Sequence, residues 1–160
     1  SKATERLIKS DSLKKYNIIH IATHGFIDEE NPKLSGIVFW GDERSNDEDA
    51  VLHIGEIFNL DLESKLLVLS ACESGLGKYV RGEGIIGMTR GFIYAGAENI
   101  VISLWQVADR STAELMVDFY SNILSGNNYS SSLRRAKLKM IKDKKYAYPL
   151  EWSPFIIVSH

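Results

Sequence analysis

The run Leu66-Leu67-Val68-Leu69-Ser70-Ala71-Cys72-Glu73-Ser74-Gly75 constrains this chain more than any other stretch. Large apolar residues follow one another without a polar break, then give way to small residues, the chain's single cysteine and a glycine. Such a run belongs to a strand buried on both faces, as in the parallel sheet of an α/β domain, delivering one reactive side chain at its carboxyl end. Here that side chain is Cys72. The upstream stretch Ile18-Ile19-His20-Ile21-Ala22-Thr23-His24-Gly25 has the same grammar, a strand running into a polar residue and a glycine. If the two strands are neighbours in one parallel sheet, His24 and Cys72 emerge at the same edge, where open α/β sheets bind their ligands.

The rest of the chain supplies the helices and turns that such a sheet needs. The sequence predicts an amphipathic helix over Ala3 to Tyr16, and a β-rich run at Ser35 to Trp40 joined through the charged tip Gly41 to Asp49 to a strand at Val51-Leu52. A short helix is expected over His53 to Leu60, a loop over Gly75 to Gly84, and a helix over Ile85 to Ala95. Gly87, Gly91 and Gly96 would let that last helix sit close to the sheet. A strand at Asn99 to Trp105 follows, then a helix over Ser111 to Leu124 with Ser111 or Thr112 as its cap and Gly126 beyond its end. The last helix covers Ser130 to Lys142, and the chain closes on a strand at Phe155 to Val158. Strands alternating with helices imply a three-layer α/β domain with a mostly parallel central sheet, flanked by helices and carrying a β-hairpin insertion.

Composition narrows the function. A formal net charge of −2 over 160 residues provides no basic field for nucleic-acid phosphates or an acidic membrane, so neither partner is expected. The Lys- and Arg-rich stretch from Ser132 to Lys145 alternates with apolar residues at helical spacing, which reads as a solvated helix face or, more sharply, a docking surface. One cysteine excludes an internal disulfide, and no signal peptide or long apolar span is present, so a cytoplasmic setting is expected. With one cysteine and scattered histidines no zinc-ligand spacing exists, and no metal or cofactor is expected. Gly75-Leu76-Gly77 with Gly82 only faintly imitates a phosphate-binding loop, lacking its Gly-Lys-Ser/Thr ending.

Nucleophilic chemistry at Cys72 needs thiolate, and an unperturbed thiol titrates near 8.5, so a positive or dipolar neighbour must favour the anion. His24 can supply it and can donate the proton that a leaving amine needs. Taken alone, a cysteine at a strand end is a small apolar filler. Glycine beside each reactive residue changes that reading, because it leaves room for a substrate carbonyl and lets the backbone N–H groups of Gly25 and Cys72 act as oxyanion donors.

Five separate segments carry a family resemblance: His20-Ile21-Ala22-Thr23-His24-Gly25, Leu69-Ser70-Ala71-Cys72-Glu73-Ser74-Gly75, Gly82-Glu83-Gly84, Ala95-Gly96-Ala97 and Ser103-Leu104-Trp105-Gln106-Val107-Ala108-Asp109. Together they resemble the CHAT domain, a caspase-like family related to separase, legumain and the gingipains, over nearly the whole chain. The resemblance implies a caspase-like fold over a single domain, residues 1–160, and a cysteine endopeptidase whose dyad is His24 and Cys72. It further implies oxyanion donors at the backbone of Gly25 and Cys72, and a specificity pocket bordered by Ser103 to Trp105. Members commonly follow tetratricopeptide repeats that regulate them, so an upstream repeat domain or a regulatory protein is the implied partner beside the protein substrate. The alternative is a catalytically silent interaction module that keeps the fold.

Three further residues remain open between two roles. His20 is either a packed strand residue or a support for the site through hydrogen bonds; about 13 Å separates its backbone from that of His24, too far for a shared metal. Glu83 either sits favourably near a helix N-terminus or serves the site, as a wall of the substrate cleft or a hinge that orders on activation. Asp109 either lines an acidic pocket, as the resemblance to separases implies, or caps the helix that follows. The further aspartates of separases are absent here, where Arg110, Ser111, Thr112 and Ala113 follow instead.

Overall fold

A computed structural model describes residues 3–28, 30–41, 49–70, 72–73 and 83–159. It has a mixed α/β fold with a mostly parallel central sheet flanked by helices. The chain divides into two compact units, residues 1–101 with 158–160, and residues 102–157.

In the first unit, β1 (Ile18–Ile21) and β5 (Leu66–Leu69) pair in parallel, Ile18 with Leu66 through Ile21 with Leu69. All four residues of β5 are fully buried, as an unbroken apolar run requires. The sheet continues through β7 (Asn99–Ser103) to β8 (Phe155–Ser159) in the order β1-β5-β7-β8. A second sheet, in the order β4-β3-β2-β6, is built from β2 (His24–Phe26), β3 (Gly36–Val38), β4 (Val51–His53) and the two-residue β6 (Cys72–Glu73). β3 and β4 form the expected antiparallel hairpin, and β2 adds antiparallel to β3. The hairpin tip 42–48 and the glycine-rich stretch 74–82 lie outside the described residues, as do the side chains of Cys72 and Glu83.

The expected helix over Ala3 to Tyr16 is instead one α-helical turn, α1 (Glu5–Ile8), and a 3-10 turn at Asp11–Leu13. The break falls where Ser10, Asp11 and Ser12 stand together. The Ser10 hydroxyl donates to the Leu7 carbonyl at 2.7 Å, competing with the backbone bonds a continuing helix would need. The short helix α2 (Ile54–Ile57) is joined to α1 by charge: the Lys9 ammonium bonds the buried Glu5 carboxylate and, at 2.7 Å, Glu56. Burial works against the charge on Lys9, but its hydrogen bonds to Glu5 and Glu56 outweigh that and hold its pKa well above the ordinary range.

Helix α3 (Glu83–Tyr94) begins two residues before the expected start. Gly87 and Gly91 make room for α2: a Cβ at Gly91 would stand 2.9 Å from Ile57 Cγ2, and one at Gly87 would touch Ile54. Gly96 takes φ +101 with Glu63 N close by, a conformation that excludes a side chain.

In the second unit α4 (Asp109–Leu124) and α5 (Tyr129–Lys142) pack on each other, and Leu115, Met116 and Phe119 of the first and Leu133, Ala136 and Met140 of the second are buried. Gly126, at φ +85, follows the end of α4. Neither Ser111 nor Thr112 caps α4. The helix starts two residues earlier, its N-cap is Ala108, and the Ser111 hydroxyl donates to the Ala108 carbonyl at 2.9 Å and bonds Glu151. The α5 cap is Asn128, which accepts from Ser131 N at 2.8 Å, so the serine expected at that helix start lies inside it. On α5, Arg134, Arg135 and Lys139 of the basic stretch are exposed, whereas burial lowers the pKa of Lys137.

Candidate active site

The two strands that carry the candidate dyad meet twice. After Ile21 and Leu69 both leave the first sheet, and after two residues on each strand they pair again, in parallel, as β2 and β6. His24 is then the register partner of Cys72, and Gly25 that of Glu73. The offset of 48 residues is the same in both sheets, Ile18 to Leu66 and His24 to Cys72, so no residue is gained or lost across the break. Neighbouring strands lie about 4.8 Å apart, which sets the backbone spacing of the two residues.

Several contacts hold this junction. Ser70 N donates to the Ile21 carbonyl at 3.0 Å, extending the β1–β5 ladder by one bond. The Thr23 hydroxyl donates to the Val38 carbonyl at 2.7 Å, tying the approach to His24 onto β3. His20 Nε2 lies 3.1 Å from the Ser70 hydroxyl, joining the two strands through side chains just before they part. His20 keeps solvent access on one side, yet the protein around its ring lowers its pKa by desolvation, favouring the neutral imidazole. Of the two roles open for His20, hydrogen bonding beside the site has an observed partner. Ser70 was not a candidate; its position at the end of the apolar run, two residues before Cys72, is the signal that would have drawn attention to it.

The side chain of His24 is exposed. Gly25 occupies the middle strand, opposite Ile37 of β3 on one side and Glu73 of β6 on the other. Glu83 is the first residue of α3. Ser103, Trp105 and Asp109 all belong to the second unit: Ser103 ends β7, Trp105 is exposed in the connection, and Asp109 is the exposed first residue of α4. Asp109 therefore does not cap its helix, and its carboxylate instead stands in the first turn.

Beside β1 the first unit has an open, mainly apolar cavity of about 490 Å3 whose lining includes Leu7, Ile19, His20, Thr23, Phe39 and Trp40. No sequence pattern announced it, because its walls come from α1, the 3-10 turn after it, β1 and the residues that follow β3. Among the described residues no group of three or more His, Cys, Asp or Glu side chains is placed to hold a metal ion. None of the described helices is long and apolar enough to cross a membrane.

The family model of the CHAT domain matches residues 1–160. Among curated proteins, the chain is 30% identical over 110 residues to mouse tetratricopeptide repeat protein 28 and 30% identical over 111 residues to its human counterpart. Each match covers 69% of this chain but only 4% of the relative, so the chain spans a small fraction of the length of these proteins. With a match along its whole length, on a mixed α/β fold that sets the histidine and cysteine motifs side by side, the chain belongs to the CHAT domain family, a caspase-like family.

Proposed function

We propose that this domain is a cysteine endopeptidase acting on protein substrates through His24 and Cys72. The observation that carries the proposal is the register pairing of these two residues at the end of parallel strands. Residues in register on adjacent strands share a face of the sheet, which gives a thiol at position 72 and an imidazole at position 24 a common side to work from. The CHAT family is generally cysteine peptidase-like, which supports the same chemistry.

On this reading the imidazole of His24 takes the Cys72 proton, and the thiolate adds to the peptide carbonyl carbon, forming a C–S bond. The oxyanion donors assigned are the backbone amides of Gly25 and Cys72. As the C–N bond breaks, His24 returns the proton to the leaving amine. Water, activated by the neutral His24, then hydrolyses the thioester and restores the thiol. Substrate contacts are assigned to Ser103, Trp105, Asp109 and Glu83. The relatives' tetratricopeptide repeats suggest regulation by a fused repeat domain or a partner protein, acting by ordering the loops around the site.

The test is trapping with a panel of peptide electrophiles, with mass spectrometry to locate the adduct. An adduct on Cys72 that disappears in His24→Ala supports the dyad. Absence of an adduct both in this domain and in the longer protein with its partner favours the silent interaction module.

A further inference from the structure

The register that pairs His24 with Cys72 has to cross a gap. Residues 22–23 on one strand and 70–71 on the other separate the two sheets, yet the 48-residue offset persists on the far side. Strand register is fixed where side chains are packed against a core, and it slips where they are not. The β1–β5 pair has that packing, with all of β5 and both Ile19 and Ile21 buried. Among the described residues the β2–β6 pair has two register positions and β6 has two residues. A pair that short specifies its own alignment weakly, which leaves a part for contacts at the gap.

We propose that the hydrogen bond between His20 Nε2 and the Ser70 hydroxyl is the pin that hands the offset on, making His20 and Ser70 positioning residues for His24 and Cys72. The bond, 3.1 Å long, joins the next-to-last residue of β1 to the first residue after β5, next to the backbone bond from Ser70 N to the Ile21 carbonyl. It joins residues that are not register partners, since His20 stands opposite Val68. A slip of one residue would therefore break it, because successive side chains on a strand face opposite ways. A side-chain bond of this diagonal kind distinguishes one register from its neighbours, which the backbone ladder alone does not do.

The positioning of a catalytic pair rests on the proposed dyad; the pinning of the register does not, and the two are separable by experiment. Amide hydrogen exchange would be followed in wild type, His20→Ala, Ser70→Ala and the double variant, with His20→Gln and Ser70→Thr as conservative controls. The pin predicts about tenfold faster exchange at residues 24–26 and 72–73 in each alanine variant, the size expected for one net hydrogen bond. It also predicts that the double variant exchanges no faster than His20→Ala, that both controls exchange near the wild-type rate, and that exchange at 18–21 and 66–69 is unchanged. Exchange at 24–26 and 72–73 within twofold of wild type in the alanine variants, or equal acceleration throughout β1 and β5, would overturn it. The chain has one cysteine, so alkylation by iodoacetamide against pH reports Cys72 alone. If the dyad holds, His20→Ala moves that profile towards the profile of His24→Ala, and His20→Gln restores it. A profile indifferent to His24→Ala would sink the dyad while the exchange data still decide the pin.

Discussion

His24 and Cys72 are register partners on β2 and β6, and the offset that pairs them is the one that pairs Ile21 with Leu69 in the neighbouring sheet. The placement of the candidate dyad thus depends on apolar packing in β1 and β5, several residues from either reactive group. Leu69 is fully buried at the last register position before the gap. Leu69→Ala should lower stability by about 3 kcal/mol, as a truncated core leucine does. It should also accelerate hydrogen exchange at β2 and β6, and urea unfolding with peptide-level exchange checks both effects together.

A second expectation concerns charge. Glu5 is 2% exposed and holds its carboxylate against Lys9, which also bonds Glu56. One oxygen of Glu5 has no hydrogen-bond partner among the described residues, so Lys9 carries most of its compensation. Lys9→Ala should cost about 3 kcal/mol in urea unfolding, because it strands a buried carboxylate. Glu5→Gln in the Lys9→Ala background should recover part of that loss.

Steric room makes a third. A Cβ at Gly36 would stand 2.8 Å from Val51 Cγ1 and 2.9 Å from the Leu52 carbonyl oxygen, inside the β3–β4 pair that supports β2. Gly36→Ala should destabilise the domain by about 1–3 kcal/mol through forced strand separation. Gly55→Ala, where no atom lies near the added methyl, serves as the control and should lose no stability. Thermal unfolding of the pair distinguishes crowding from a general effect of glycine replacement.

The lowered pKa of His20 gives a pH dependence with a definite sign. Desolvation disfavours the charged ring in the folded state, so the unfolded chain binds more protons as pH falls past the ordinary histidine value of 6.5. The contribution of His20 to stability is fully present above that pH, and is lost as pH falls through the lower value of the folded state. Unfolding free energy measured between about pH 7 and 5 should decline in wild type and decline less steeply in His20→Gln. Equal slopes would contradict the assignment.

Much of this fold is legible in the sequence where one physical signal dominates locally. The apolar run of β5 could only be a buried strand, and Gly126 marks the end of α4 because its φ of +85 suits glycine. The family motifs likewise place His24 and Cys72 as the candidate pair. What escaped reading was decided by competition or by tertiary contact. Ser10, Asp11 and Ser12 break an amphipathic pattern that periodicity alone would continue to Tyr16. Gly91 reads as a site of close approach, but only the fold reveals that its neighbour is Ile57 of α2. The split of each long strand into two at residues 22–23 and 70–71, which gives the His20–Ser70 bond its place, leaves no mark in apolar spacing.

The most direct measurement is the mass of the intact domain after exposure to a peptide electrophile panel, compared across wild type, His24→Ala and Cys72→Ala. The dyad predicts one adduct on Cys72 in wild type, at least about a hundredfold slower labelling in His24→Ala, and none in Cys72→Ala. Labelling of Cys72 at the same rate with and without His24 would contradict it.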